Sequence, residues 1–149
     1  MTYLYHTQTK YNNQCYYYCP DCKSVAMHPK YYLSLIEEKT RYLTHNNDVD
    51  DPRYQKFVRP VIQAVTTHTK THYHGLDFGA GTGPVITKLL QKKGYSMTTY
   101  DPIFIPNSEA LSETYDFIVC CEVVEHFHNP RAEFMRFHQL LKPDGLLVT

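Results

Sequence analysis

The sequence predicts an α/β fold built around a doubly wound, mostly parallel sheet. Strand and helix patterns alternate from residue 73 onward, and a glycine-rich loop joins the first of these strands to a helix. Residues 116–123 form a near-continuous apolar run, which is typical of a central parallel strand covered on both faces. Together these features predict an open sheet with helices on both of its faces.

Composition and charge limit the kinds of partner that the protein can bind. Fifteen basic residues balance 15 acidic ones, so no overall field favours nucleic acid or an anionic membrane. The sequence therefore predicts a small-molecule partner. The longest apolar run, Phe117 to Cys121, is too short to cross a bilayer. The first ten residues lack a hydrophobic signal segment, and we expect a cytoplasmic protein.

Three segments are predicted along the chain. Residues 1–28 have no sustained apolar period, which indicates a cysteine-containing knuckle or loop rather than a helix. Residues 29–72 predict a helical segment, because apolar residues recur at helical spacing on both sides of an Asp-Pro helix start at 51–52. Pro60 lies inside the second helical pattern and predicts a kink. Residues 73–149 carry the predicted sheet.

The elements of the sheet region follow from turn signals and periodicity. Strands are predicted at 73–78, 95–100, 116–123 and 146–149. One helix is expected from about Pro84 to Gly94 and another from Pro130 to the Pro-Asp-Gly stretch at 143–145. The buried side of this last helix is predicted to comprise Phe134, Phe137, Leu140 and Leu141.

A ligand-binding loop is predicted in LDFGAGTGP, residues 76–84, where Gly79, Gly81 and Gly83 alternate. Glycine permits torsions closed to other residues and lets a ligand lie against the main chain. A dinucleotide-binding loop has the spacing GxGxxG, whereas here the third glycine comes one residue early and Pro84 follows it. A nicotinamide-dependent oxidoreductase is therefore a disfavoured alternative, and a simple tight turn is another.

Asp101 is the second candidate ligand residue. It ends the next predicted strand, 22 residues after Gly79, and a carboxylate at that point can accept hydrogen bonds from two ribose hydroxyls. The alternative is that Asp101 and Pro102 only form a turn. The glycine loop beside it favours ligand binding.

Four segments together resemble class I methyltransferases. LDFGAGTGP, TTYDP, YDFIVCCEVVEHFHNP and LLKPDGLLVT occur in the order of that family over residues 75–149, and RYLTHNNDVDDPRYQKF upstream is similar to a short bacterial variety. The resemblance implies a Rossmann-like fold and S-adenosylmethionine as cofactor. It implies a cofactor site in which Asp77 shapes the loop, Asp101 binds the ribose and the amino acid moiety lies near Gly79, Ala80 and Gly81, with Gly83 completing the loop.

Two departures from that family are apparent. Only 14 residues, Pro102 to Tyr115, separate the second strand from the third, so a βαβ unit is missing and the edge strand of a sheet ordered 3-2-1-4-5 is lost. The family also continues beyond the position of Thr149 with a helix and an antiparallel strand pair. We therefore expect an incomplete sheet and a fragment or truncated product of low activity, and a non-catalytic binding module is an alternative function.

Glu122, Glu125 and His126 are the candidate catalytic residues. If a helix begins directly after the strand, their i, i+3 and i+4 spacing places them on one face at the ligand-binding edge. The segment resembles the quinone O-methyltransferases, which implies a position beside the substrate and a bound divalent cation. His126 is the candidate general base, which favours a small acceptor with a hydroxyl group. The alternative is that these residues only cap or solvate a helix start.

Two further groups of residues are predicted at the periphery. Tyr42, His45, Asn46 and Tyr54 are expected to belong to a lid over cofactor and substrate, or else to pack between helices. Cys19 and Cys22 are spaced like one knuckle of a zinc ribbon, but a structural zinc site takes four ligands. The residues that might complete the site are Cys15, His6 and His28, and the alternative is a set of ordinary reduced thiols.

Overall fold

The computed structural model describes residues 9–11, 14–44 and 48–149. The chain divides into two units, Met1–Glu38 and Lys39–Thr149. The first unit contains an antiparallel sheet of β1 (Thr9–Tyr11), β2 (Gln14–Tyr18) and β3 (Val25–Met27), followed by a 3-10 helix at Pro29–Tyr31. The predicted knuckle is thus a turn between two strands. The tyrosines of β2 that precede the turn favour strand structure. The strand was not predicted because the segment lacks a regular alternation of apolar and polar residues.

Three helices follow, named α1 (Leu35–Leu43), α2 (Pro52–Phe57) and α3 (Arg59–His68). Asp51 caps α2, since its side chain accepts a hydrogen bond from the Arg53 backbone at 2.8 Å. The predicted kink is a complete break at Val58, and Pro60 lies in the first turn of α3, where no intrahelical N–H bond is lost. His45 and Asn46 lie outside the described residues.

A four-stranded parallel sheet forms the centre of the second unit. Its strands are β4 (His74–Phe78), β5 (Ser96–Tyr100), β6 (Tyr115–Val119) and β7 (Leu141–Val148), in the order β5-β4-β6-β7, with α4 (Val85–Gln91) and α5 (Pro130–Leu140) as connecting helices. Between β5 and β6 there is a short 3-10 helix, Ser108–Leu111. The α/β fold class is confirmed, and the strand order is the expected one without its edge strand.

Helices cover both faces of this sheet. On one face, α3 and α4 pack against Phe117 and Val119 of β6. On the other face, Phe137 and Leu140 of α5 pack against Ile118. The alternation along β6 explains its continuous apolar sequence, because every residue from 117 to 120 is buried.

Three details of the predicted elements were wrong. β6 ends at Val119 rather than at residue 123. β7 begins at Leu141 rather than at Leu146, because Pro143-Asp144-Gly145 forms an irregularity within the strand and does not end α5. Phe134 is 45% exposed, and its ring lies against those of Phe127 and Phe137. Among the described residues, no helix combines the length and apolar character needed to cross a membrane.

Candidate functional site

The glycine loop lies at the carboxyl end of β4 and adopts a backbone that favours glycine. The φ angle is 83° at Gly79 and 62° at Gly81, both in the left-handed region that side chains disfavour. A Cβ atom on Gly79 would lie 2.4 Å from Cγ2 of Val123. The loop therefore needs glycine at 79 both for its torsion angle and for the close approach of the chain after β6.

Hydrogen bonds fix this loop against the end of β5. The amides of Gly79 and Ala80 donate to the Tyr100 carbonyl at 2.8 and 3.2 Å, and the Gly81 amide donates to Oδ2 of Asp101 at 3.0 Å. Gly83 is buried, and its carbonyl accepts a bond from the first residue of α4. The two sequence signals, the glycines and Asp101, thus meet at one edge of the sheet.

Asp101 forms a turn and also faces the glycine loop, so the two interpretations of this residue are not exclusive. Its Oδ1 accepts bonds from the amides of Ile103 and Phe104 at 2.8 and 2.9 Å. A carboxylate offers about four acceptor positions, and the Gly81 bond occupies a third. One acceptor position on Oδ2 remains in this arrangement, whereas the sequence predicts hydrogen bonds from two ribose hydroxyls. An Asx-turn signal at Asp-Pro predicts such backbone bonds.

Asp77 connects the end of β4 to the first turn of α4. Its Oδ2 accepts bonds from the Thr87 hydroxyl at 2.8 Å and from the Thr87 amide at 3.2 Å. Burial raises the pKa of Asp77 to about 6, the Thr87 bonds oppose that rise, and the charge of Asp101 adds to it. Thr87 was not among the candidate residues, because nothing in the local sequence distinguishes it from any other helix threonine.

The premise that Glu122, Glu125 and His126 share a helix face was wrong. Glu122 has a φ of 56°, and the residues after it form only a short 3-10 helix, Val124–His126. The α-helix begins later, at Pro130, where the Asn129 side chain accepts a bond from the Ala132 amide at 3.3 Å. The cap therefore sets the start of α5 eight residues after the predicted face begins.

The contacts of these residues with their neighbours are as follows. Nε2 of His126 lies 3.9 Å from Oε1 of Glu125, and its ring centroid lies 5.7 Å from that of Tyr42. The charge of Glu122 affects the hydroxyl of Tyr54. Burial raises the pKa of the Tyr54 hydroxyl, and the charges of Cys121, Asp77 and Glu122 raise it further.

The described residues include no group of three or more His, Cys, Asp or Glu side chains that could hold a metal ion. The divalent cation suggested for the Glu-x-x-Glu-His segment therefore has no supporting ligand set in this part of the chain.

The cysteine knuckle supplies two adjacent thiols. Cys22 Sγ lies 3.0 Å from Oγ of Ser24, and hydrogen bonds from the Ser24 side chain and backbone, followed by that of Cys19, lower the pKa of the Cys22 thiol. Cys15 is bonded to the Tyr31 hydroxyl at 3.4 Å, and the His28 ring accepts a bond from the Lys30 amide. His6 lies outside the described residues.

We expect Cys19 and Cys22 alone to hold no stoichiometric zinc in the monomer, because two thiolates leave half of a tetrahedral zinc shell unfilled. Elemental analysis of the purified monomer, in parallel with Cys19→Ser, checks this expectation. The two proteins should contain equal, substoichiometric zinc. One zinc per monomer that disappears in Cys19→Ser would contradict it.

Comparison with known proteins gives one finding for this region. Residues 50–149 match the protein family described as "Methyltransferase domain". Neither the curated proteins nor the solved structures compared with the chain include a match. The matched range contains the whole parallel sheet, the glycine loop and every candidate residue at its carboxyl edge.

Proposed function

We propose that this chain transfers a methyl group from S-adenosylmethionine to a small nucleophilic acceptor, with a hydroxyl as the favoured nucleophile. The premise is that the chain belongs to the methyltransferase domain family, which it matches over residues 50–149. The observation that carries the proposal is the junction of the glycine loop with Asp101. That junction lies outside the carboxyl ends of parallel strands, where open α/β sheets bind ligands.

The residues at the junction fit the proposed cofactor. Gly81, which has a left-handed backbone and no Cβ atom, lets a ligand lie against the main chain at that position of the loop. Oδ2 of Asp101 accepts the bond from the Gly81 amide and keeps one further acceptor position for the cofactor. Asp77 and Asp101 place two buried carboxyl groups beside the loop, which suits a ligand with a cationic amino group and a cationic sulfur.

S-Adenosylmethionine, when bound, supplies an electrophilic methyl group on a positively charged sulfur. The task of the protein is then to hold the acceptor in line and to remove its proton. His126 is 40% exposed at the edge, where its neutral ring can take a hydroxyl proton. Glu125, 3.9 Å away, stabilises the imidazolium that forms.

Calorimetric titration of the full chain with S-adenosylmethionine and with NADH tests the proposal. We expect S-adenosylmethionine to bind and NADH not to bind. Asp101→Asn removes the charge at nearly constant size, and the dissociation constant should rise about 10- to 100-fold, because a hydrogen bond to a charged group contributes about 1.5–3 kcal/mol.

Asp116→Asn is the matched control. Asp116 lies at the opposite end of the sheet and binds Lys142 at 3.0 Å, so the same substitution there should leave the affinity unchanged. Binding of NADH in preference, or an unchanged dissociation constant in Asp101→Asn, would refute the assignment. Tight cofactor binding with no transfer to any hydroxyl acceptor would favour a binding module.

A further inference from the structure

We infer that Tyr42 is a positioning residue, whose aromatic ring sets the orientation of the His126 imidazole at the carboxyl edge of the sheet. The catalytic consequence of this inference rests on the proposed function, in which His126 accepts the proton. The contact itself is independent of that function. Both residues belong to the unit Lys39–Thr149.

Tyr42 differs from its neighbours on the last turn of α1. The side chains of residues 39–41 and of Leu43 are exposed, and Leu43 is 63% exposed, whereas Tyr42 is half-buried. Its ring meets the Phe104 ring edge-to-face at 6.5 Å and 86°, and the His126 ring at 5.7 Å and 80°. Tyr42 thus contacts the loop after β5 and the loop after β6 at the same time.

These distances and angles fall in the favourable range for aromatic pairs, which prefer edge-to-face rings with centroids about 4.5–7 Å apart. Phe104 is held by its own amide, which donates to the Asp101 carboxylate at 2.9 Å. The ring of Tyr42 therefore packs against a residue whose backbone amide is bonded to the proposed ribose-binding acid. The same ring then restricts His126.

His126 needs such a restriction because its own surroundings constrain it little. It ends a three-residue 3-10 helix, and its side chain is 40% exposed. The contact with Glu125 at 3.9 Å is longer than a hydrogen bond, and the second side-chain torsion of histidine has a broad distribution. A general base must present one nitrogen within hydrogen-bond reach of the acceptor proton. A ring packed across the imidazole reduces the orientations available to it.

The test compares Tyr42→Leu with Tyr42→Phe and with Leu43→Ala, an exposed neighbour on the same helix. Histidine-labelled full-length protein is examined by NMR, with His126→Ala identifying the His126 ring resonances. Methyl transfer to a hydroxyl acceptor and S-adenosylmethionine affinity are measured on the same samples. Because the aromatic ring is removed only in Tyr42→Leu, the three variants separate the ring from the hydroxyl and from the helix.

We expect Tyr42→Leu to move the His126 resonances and to lower kcat about tenfold, with the cofactor dissociation constant unchanged. Tyr42→Phe should retain the wild-type resonances and activity, and Leu43→Ala should leave both as they are. Unmoved His126 resonances in Tyr42→Leu would overturn the inference. So would an unchanged kcat, an equal loss in Leu43→Ala, or a loss confined to cofactor affinity.

Failure of the proposed function gives a different result. A wild-type protein that binds no S-adenosylmethionine, but whose His126 resonances move in Tyr42→Leu, would refute the cofactor assignment and support the ring contact. A wild-type protein that transfers methyl groups, but whose His126 resonances are insensitive to residue 42, would refute the inference alone.

Discussion

Gly79→Ala is expected to lower the free energy of unfolding by about 3 kcal/mol and to weaken cofactor binding. An alanine would have to adopt the φ of 83° seen at Gly79, which costs about 1–2 kcal/mol. Its Cβ would also meet Cγ2 of Val123 at 2.4 Å and Cγ1 at 2.9 Å, and such overpacking costs about 1–3 kcal/mol. Both effects displace the loop on which the cofactor is proposed to lie. Chemical denaturation and calorimetric titration measure the two results.

Gly94→Ala separates the two causes. Gly94 has a φ of 93°, but a Cβ there would have no atom within 4 Å, so only the conformational cost of about 1–2 kcal/mol remains. The double variant Gly79→Ala with Val123→Ala removes the methyl groups that collide and should recover part of the lost stability, a non-additive result expected of residues in contact. Equal destabilisation by Gly79→Ala and Gly94→Ala would contradict the collision with Val123.

The residues that predicted the fold correctly are those whose effect is local. The Asp-Pro helix start at 51–52, the Asn-Pro start at 129–130 and the glycines of the loop each determine backbone geometry within a few residues. The apolar run in β6 predicted a central strand, because burial on both faces requires apolar residues at consecutive positions. These signals sufficed for the main strands and helices of the sheet region, and the expected strand order came from the doubly wound pattern of the family that the sequence resembles.

The candidate site was less predictable because its geometry depends on contacts distant in sequence. Glu122, Glu125 and His126 have helical spacing, but they do not lie on one α-helix. The chain after β6 turns at Glu122, and Val123 then packs against Gly79. The contact between Tyr42 and His126 joins residues 84 positions apart. The residue pattern within either segment cannot predict a contact between two segments so far apart in the sequence.

Asp77→Asn is expected to make the protein more stable at neutral pH. Asp77 is only 4% exposed, and burial raises its pKa from 3.8 to about 6. The folded protein therefore binds this proton more tightly than the unfolded chain does. The contribution of Asp77 to stability is fully present below about pH 3.8 and is lost as the pH rises through about 6. That change in pKa corresponds to about 3 kcal/mol, and asparagine avoids the loss because it does not ionise.

Chemical denaturation between pH 4 and pH 8 measures this effect as a difference between two proteins. The wild type and Asp77→Asn should have similar free energies of unfolding near pH 4, and the variant should be more stable by up to about 3 kcal/mol above pH 7. Carboxyl groups distant from Asp77 titrate equally in both proteins and cancel. Identical pH profiles, or a variant less stable than the wild type at pH 7, would contradict the prediction.

Thr87→Val is the matched control for the origin of the effect. The Thr87 hydroxyl donates to Asp77 at 2.8 Å and holds its pKa down. Valine removes that bond at similar volume while the amide bond at 3.2 Å remains possible. The pKa of Asp77 should then rise further, so stability should be lost at a higher pH than in the wild type.

A carboxylate that lowers stability at neutral pH is expected where its charge serves ligand binding. If Asp77 faces the cationic groups of S-adenosylmethionine, then Asp77→Asn should gain stability and lose cofactor affinity in the same protein. Affinity should also fall in the wild type as the pH drops below about 6, because protonation removes the same charge, and the variant should lack that dependence. If Asp77→Asn binds the cofactor as tightly as the wild type at pH 8, the carboxylate only joins β4 to α4, and the charge has no part in binding.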